Sequence, residues 1–305
     1  MLDFTNEVAL VTGAGQGLGR AYALALARRG AHVIVNDTGE AAHAIAALVE
    51  EADGRATAAV GSVFEDADAI VETALAAGGR LDIVINNAGI SGGGPFHKIP
   101  RADWDRLFEV QLGGTVNISR AAWPHLAASG KGRLLNTSSS STFGAAFTSH
   151  YAAAKAAIFC FTRSWAGEGA GDGIRVNCIM PSAFTPMSAQ IPDPDFRNLL
   201  AEHFPPEPVA EFVTWLVHRD TALSGETFEV GGGRAGRIVM AEAPGVFRPG
   251  GSAEHWQGQE AALLSLEGMG TPGSMIEEVA FQVQNMDADI RAAFAAVDQA
   301  CNWAG

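Results

Sequence analysis

Three cysteines in 305 residues, Cys160, Cys178 and Cys301, are too few and too far apart for a disulfide framework or a Cys-x-x-Cys metal pair. No metal is expected, and each reads as a small hydrophobe. Basic residues are scarce too: 20 Lys and Arg face 34 Asp and Glu, for a net charge of −14. Such a surface does not displace counterions from a phosphate backbone and repels anionic lipid headgroups. Nucleic-acid and membrane partners are therefore not expected. No apolar run approaches the ~18 residues of a membrane span, and 36 Gly with 13 Pro stay well under the share of about 25–30% that marks low-complexity chains. What the chain has in quantity is apolar: 48% hydrophobic against 18% charged residues. That suffices for a sizeable core, in either two ordinary domains or one large α/β domain with an addition. Residues 1–7 show no basic, apolar leader, and the chain ends Asn302-Trp-Ala-Gly305 rather than in a Ser-Lys-Leu-type address, so the sequence expectation is a cytoplasmic protein.

Short β-branched runs recur with helical stretches between them: residues 8–11, 33–36, 56–60, 81–86, 134–136, 174–179 and 227–230. This alternation predicts βαβ units. The runs are apolar at nearly every position, as in a parallel sheet covered by helices on both faces, and a doubly wound, seven-stranded Rossmann-type domain over residues 1–235 follows. Six prolines between Pro186 and Pro208 predict a loop or lid there rather than a continuous helix. Residues 236–305 read as a C-terminal extension packed on that domain or on a partner subunit, ending in a helix with Ile290, Phe294, Val297 and Cys301 on one side.

Directly after the first run comes Thr12-Gly-Ala-Gly-Gln-Gly-Leu-Gly-Arg20. Glycines at 13, 15, 17 and 19 allow a tight turn, close approach of the backbone to a pyrophosphate, and close packing of helix on strand. Together with Gln16 and Leu18 they open a helix whose N-terminus faces the anion. Eighteen residues past Gly19 stands Asp37, near the ~20 at which an acidic side chain reaches the adenosine ribose hydroxyls. A carboxylate there repels a 2′-phosphate, and residues 36–40 contain no Lys or Arg to rescue it, so NAD is expected over NADP. Asp37 is also a residue type that caps helices well. Asn86-Asn87-Ala88-Gly89 closes the fourth strand at the sheet edge where ligands bind.

One of only two tyrosines opens Tyr151-Ala-Ala-Ala-Lys155, and the i, i+4 spacing stacks both side chains on one face of a helix. A neighbouring ammonium and a cationic nicotinamide both favour a phenolate and so lower the tyrosine pKa toward neutrality. Ile158, Phe161 and Trp165 continue an apolar stripe able to anchor that helix. Upstream, residues 137–141 (Thr-Ser-Ser-Ser-Ser) offer a hydroxyl to hold a substrate oxygen against the tyrosine.

In combination these motifs, with Ile174-Arg-Val-Asn-x-Ile179 leading to Pro181, resemble those of the short-chain dehydrogenase/reductase superfamily over residues 6–235. The resemblance implies an NAD(P)(H)-dependent alcohol/carbonyl oxidoreductase with a sheet ordered 3-2-1-4-5-6-7, assembled as a homodimer or homotetramer. It further implies catalysis by Ser139, Tyr151 and Lys155. Cofactor contacts are implied for Gly13, Gly15, Gln16, Gly17, Leu18, Gly19, Asp37, Ser62, Val63, Asn87, Ala88, Gly89, Tyr151, Lys155, Pro181 and Thr185. The serine is open between Ser139, counted along the strand, and Ser138, counted back from Tyr151. Gln111 stands where the superfamily often has a relay Asn, and Gly61 where an adenine-holding Asp is common. A narrower resemblance, to the (3R)-hydroxyacyl-CoA dehydrogenase parts of peroxisomal multifunctional enzymes of type 2, is carried by residues 19–25, 35–37, 120–123 and 228–233. It implies oxidation of a 3-hydroxyacyl-CoA, with Lys98 and Arg101 as candidate cations for its phosphates. Steroid or terpenoid alcohols are the alternative substrates, and a non-catalytic NAD-binding scaffold is the rival from another class.

Overall fold

The computed structural model describes residues 2–300. Eight strands form one sheet: β1 Val8–Val11, β2 His32–Asp37, β3 Arg55–Val60, β4 Ile83–Asn86, β5 Arg133–Thr137, β6 Arg175–Ser182, β7 Thr227–Gly231 and β8 Arg234–Ile238. They lie in the order β3-β2-β1-β4-β5-β6-β7-β8, and the pairings from β3 across to β7 are all parallel. Every residue of β1, β4 and β5 is buried because alternate side chains feed two separate cores. On one face Ala9, Val11, Val33, Val35, Ile83 and Ile85 meet helices α1 (Gly17–Ala27), α2 (Ala41–Glu51) and α8 (Glu207–Leu216). On the other, Val8, Leu10, Ile34, Val84, Leu134 and Val176 meet α3 (Ala67–Gly78) and α5 (Gly114–Ala128). Each such Val, Leu or Ile contributes about 1.5–3 kcal/mol by leaving water, so the sheet is a firm base for the loops at its carboxyl edge.

Two sequence expectations need correction. The sheet has eight strands, not seven. Gly232 and Gly233, at φ +56° and +78°, form the two-residue turn that sends β8 back along β7. Because β8 (Arg-Ala-Gly-Arg-Ile) is an edge strand with a polar, largely exposed pattern, it carries no apolar run to betray it. The proline-rich stretch, in turn, is not all loop: α7 spans Pro194–His203. Pro194 falls in its first turn, where a missing N–H costs nothing, and the Asp193 carboxylate caps it by accepting the Phe196 N–H at 2.8 Å. Prolines here punctuate helices instead of preventing them.

α6 is a single helix over Ser149–Gly171. Its buried face runs through Ala154, Lys155, Ile158 and Thr162, while Phe161 turns aside to stack on Trp165. Between β4 and α6 lie α4 (Arg101–Phe108) and a π-helical turn, Glu109–Gly113, leading into α5.

The chain divides into two compact units, Met1–Arg237 and Ile238–Gly305. The second contains α9 (Glu260–Leu263), α10 (Met275–Gln284) and α11 (Ala288–Ala300), with Phe281 of α10 packed on Gly270. Within the helix stripe expected from sequence, Ile290 is exposed and Phe294 partly buried; the Val297 side chain and Cys301 lie outside what is described.

Candidate active site

The glycine-rich turn between β1 and α1 is pinned from the end of β4. Thr12 Oγ1 accepts the backbone N–H groups of Asn87 and Ala88, each at 3.0 Å. The Asn87 amide donates back to the carbonyls of Thr12 and Gly13 at 3.0 and 3.1 Å. The N–H groups of Asn87 and Ala88 therefore shape the turn, while the Asn87 Oδ1 and both backbone carbonyls stay outside these bonds. Thr12, absent from the site residues read from sequence, is its hub, and its position at a strand end directly before Gly13 was the available signal. The glycines are required by contact: a Cβ on Gly19 would stand 2.2 Å from the Gly13 carbonyl oxygen, and one on Gly13, at φ +60°, 2.8 Å from Ala88 Cα. Gln16 precedes α1 in extended conformation without capping it, and the first turn holds no acidic side chain. Its free N–H groups and the positive end of the helix dipole are left for an external anion.

Asp37 ends β2 beside this turn. Its carboxylate accepts Gly15 N–H at 2.9 Å and Thr38 N–H at 2.8 Å, and a Cβ on Gly15 would come within 2.7 Å of it. At the end of β3, Ser62 N–H donates to Asp66 Oδ2 at 2.8 Å. The Val63 side chain is core, packed on Gly114, so only its backbone remains for a ligand. Pro181 lies within β6 opposite Val230. Thr185 in the following loop stands 3.3 Å from where a Gly17 Cβ would be, which brings that loop onto the glycine turn. A glycine cradle, an uncapped helix N-terminus and an adjacent carboxylate together fit a dinucleotide: pyrophosphate at the N–H groups, ribose at Asp37.

Along the same sheet edge, β5 delivers the serines and α6 the tyrosine and lysine. Ser138 is buried and donates to the Lys155 carbonyl at 2.7 Å, a helix-to-strand tie. The serine hydroxyl that lies near enough to the Tyr151 phenol to favour its ionisation is that of Ser139, which accepts Ser141 N–H at 3.1 Å. Lys155 is 4% exposed. Its ammonium donates to the Thr137 carbonyl at 2.8 Å and lies 5.7 Å from the Tyr151 ring centroid. Burial disfavours that charge and pushes the Lys155 pKa down to about 8.

Sequence reasoning has the ammonium lowering the tyrosine pKa. In the protein alone the net direction is the opposite: burial pushes the Tyr151 phenol above its ordinary value, and the nearby Ser139 hydroxyl only partly offsets this. The amine is turned to a carbonyl instead of the phenolic oxygen. Since the other tyrosine, Tyr22, is fully buried and also shifted upward, ultraviolet titration at 295 nm of the nucleotide-free protein should find neither tyrosine half-ionised below about pH 10. A tyrosine ionising below pH 9 would contradict this.

Gln111 sits in the π-helical turn, a feature frequent at functional sites, and is fully buried. Its Nε2 donates to the Ile90 carbonyl at 2.6 Å, while Oε1 has no protein partner and faces Gly89. The candidate cations differ in availability: Arg101 is held in a fork by Asp105, at 2.8 and 2.9 Å, whereas Lys98 is exposed and makes no ion pair among the described residues.

A dinucleotide cradle beside a Ser-Tyr-Lys cluster, on the carboxyl edge of a doubly wound sheet, defines a Rossmann-type oxidoreductase. The chain belongs to the short-chain dehydrogenase family, whose model matches residues 7–195; members of this family take a nicotinamide cofactor and small-molecule substrates. It is 42% identical over 248 residues to peroxisomal multifunctional enzyme type 2 of Mus musculus, covering 78% of this chain but only 33% of that one. The solved structure of the full-length enzyme of that name from Drosophila melanogaster superposes with a TM-score of 0.79 at 28% identity, over 93% of this chain and 50% of the other. A 7α-hydroxysteroid dehydrogenase, solved with NADH and 7-oxo glycochenodeoxycholic acid, matches with a TM-score of 0.71 at 27% identity, over 76% and 95% of the two chains.

The cytoplasmic expectation is corrected by these relatives. The multifunctional enzymes are named peroxisomal, and their names point away from a cytoplasmic location. Reading compartment from the chain's ends failed for a physical reason: an address is a short receptor-read segment independent of the folded body.

Proposed function

We propose that the chain oxidises a secondary alcohol to a ketone, reversibly, with NAD as cofactor, and that the substrate is a 3-hydroxyacyl-CoA. The observation that carries this reading is the buried Lys155 ammonium, held on the Thr137 carbonyl one helical turn from Tyr151, with Ser139 near the phenol on the same sheet edge as the glycine cradle. Bound NAD+ supplies a hydride acceptor. Ser139 and Tyr151 hold the alcohol oxygen between them, and Tyr151 takes its proton; in reverse the same phenol protonates the forming alkoxide. To take the alcohol's proton, Tyr151 must first have given its own phenolic proton to solvent, a loss favoured by the positive charge of NAD+ nearby. Lys155 orients the nicotinamide ribose and Thr185 its carboxamide. The preference for NAD over NADP rests on the Asp37 carboxylate, and assembly as a homodimer or homotetramer on the family resemblance.

A second reading, a neutral ring alcohol, is favoured by the pairing of Arg101 with Asp105, which leaves Lys98 as the free cation of the two candidates. Incubation with NAD+ and 3-hydroxyacyl-CoAs of both configurations, alongside steroid and terpene alcohols, separates these readings by NADH absorbance. NADH from a hydroxyacyl-CoA is the expected result. Formation only from the neutral alcohols selects the second reading, and none from any of them favours the non-catalytic NAD-binding scaffold.

A further inference from the structure

Phe147 stands two residues before α6 with φ +67°. The other non-glycine residues described in this left-handed region are Asn6 and Asp53, types whose short polar side chains tolerate it. Phenylalanine lacks that local compensation, so its conformation is imposed from outside. The Phe147 carbonyl accepts Gly94 N–H at 2.6 Å, and a Cβ on Gly93 would stand 2.9 Å from that same oxygen. One residue back, a Gly92 Cβ would lie 3.1 Å from Nε2 of His150, the buried neighbour of Tyr151 that packs on Trp104 with ring centroids 5.4 Å apart. Three consecutive glycines thus bind the loop after β4 to the segment running from Ser139 to Tyr151.

Strained backbone persists where its surroundings over-determine it, and such positions gather at ligand sites. The strain here buries nothing: 66% of Phe147 is exposed, as are 68% of Phe96 and 73% of Phe143 on the same two loops. Large apolar side chains left this exposed on loops that are tied to one another through Gly94 N–H and the Phe147 carbonyl are candidates for binding. Charge indicates the kind of occupant. In a chain of net charge −14, residues 90–100 and 139–151 contain no Asp or Glu, so the surface suits an apolar group and offers nothing to a cation.

We propose that Phe147 determines substrate specificity: its ring packs on the apolar body of the alcohol, an aryl, alicyclic or long acyl group beside the hydroxyl-bearing carbon. This rests on the reading of Ser139 and Tyr151 as the alcohol site, and the test separates the two. Equilibrium dialysis of 1-(2-naphthyl)ethanol against the full chain should show binding, and Phe147→Gly should weaken it at least tenfold. Glycine accepts the positive φ, so the melting temperature of that variant should equal or exceed that of the unmodified protein; Phe147→Trp should keep the affinity. Where NADH forms, Phe147→Gly should raise KM for the naphthyl alcohol with little change in kcat and leave KM for 2-butanol within twofold. Undiminished binding by Phe147→Gly, or no binding by the unmodified chain, overturns the assignment. A dialysis difference without NADH from any alcohol upholds Phe147 and removes the dehydrogenase reading.

Discussion

Tyr151→Phe is expected to lower kcat by a factor of about 10²–10⁴, the usual worth of a positioned general acid or base, with NAD+ binding and melting temperature nearly unchanged. The substitution removes one hydroxyl from the site and little else. Ser139 keeps its bond from Ser141 N–H, the Lys155 ammonium keeps the Thr137 carbonyl, and the ring stays on α6. Because the phenol is held above its ordinary pKa by burial, the unmodified enzyme should oxidise alcohol faster as pH rises into the alkaline range, where more phenolate is present. The variant's residual rate should lack that limb. Steady-state kinetics across pH, with NADH binding followed by fluorescence, check both points, and a variant with undiminished turnover removes Tyr151 from proton transfer.

The parallel sheet was legible because its strands are buried on both faces: continuous apolar runs such as Val8–Val11 and Ile83–Asn86 leave few other folds open. β8 was illegible for the converse reason, since an edge strand of Arg, Ala, Gly and Ile needs neither face buried. In the site, spacing alone put Tyr151 and Lys155 on one helix, yet it could not reveal that the lysine falls on the buried face, where its ammonium meets a carbonyl and its pKa drops. Composition is equally silent about division of labour between neighbours. Asn87 and Ala88 look like ligand contacts in sequence, and the hydrogen bonds to Thr12 give them a further task, building the turn. Phe147 was invisible because its significance lies in a backbone angle set by glycines some fifty residues away.

Asp37→Asn is expected to raise the dissociation constant for NAD+ by about 10–100-fold, the equivalent of losing charge-assisted hydrogen bonds worth roughly 1.5–3 kcal/mol. The same change should strengthen NADP+ binding, because a carboxylate beside the ribose repels a 2′-phosphate and an amide does not. The side chain has a second task that the experiment must distinguish. It accepts N–H groups from both Gly15 and Thr38, and an asparagine, with one oxygen and one NH2, satisfies only one of these, loosening the turn that both nucleotides share. Calorimetric titration with each separates the contributions: a brace lost costs NAD+ and NADP+ equally, whereas a discriminating charge lost moves them in opposite directions. Opposite shifts are expected. Equal weakening would reduce Asp37 to a support for the glycine turn and remove the ground for proposing NAD over NADP.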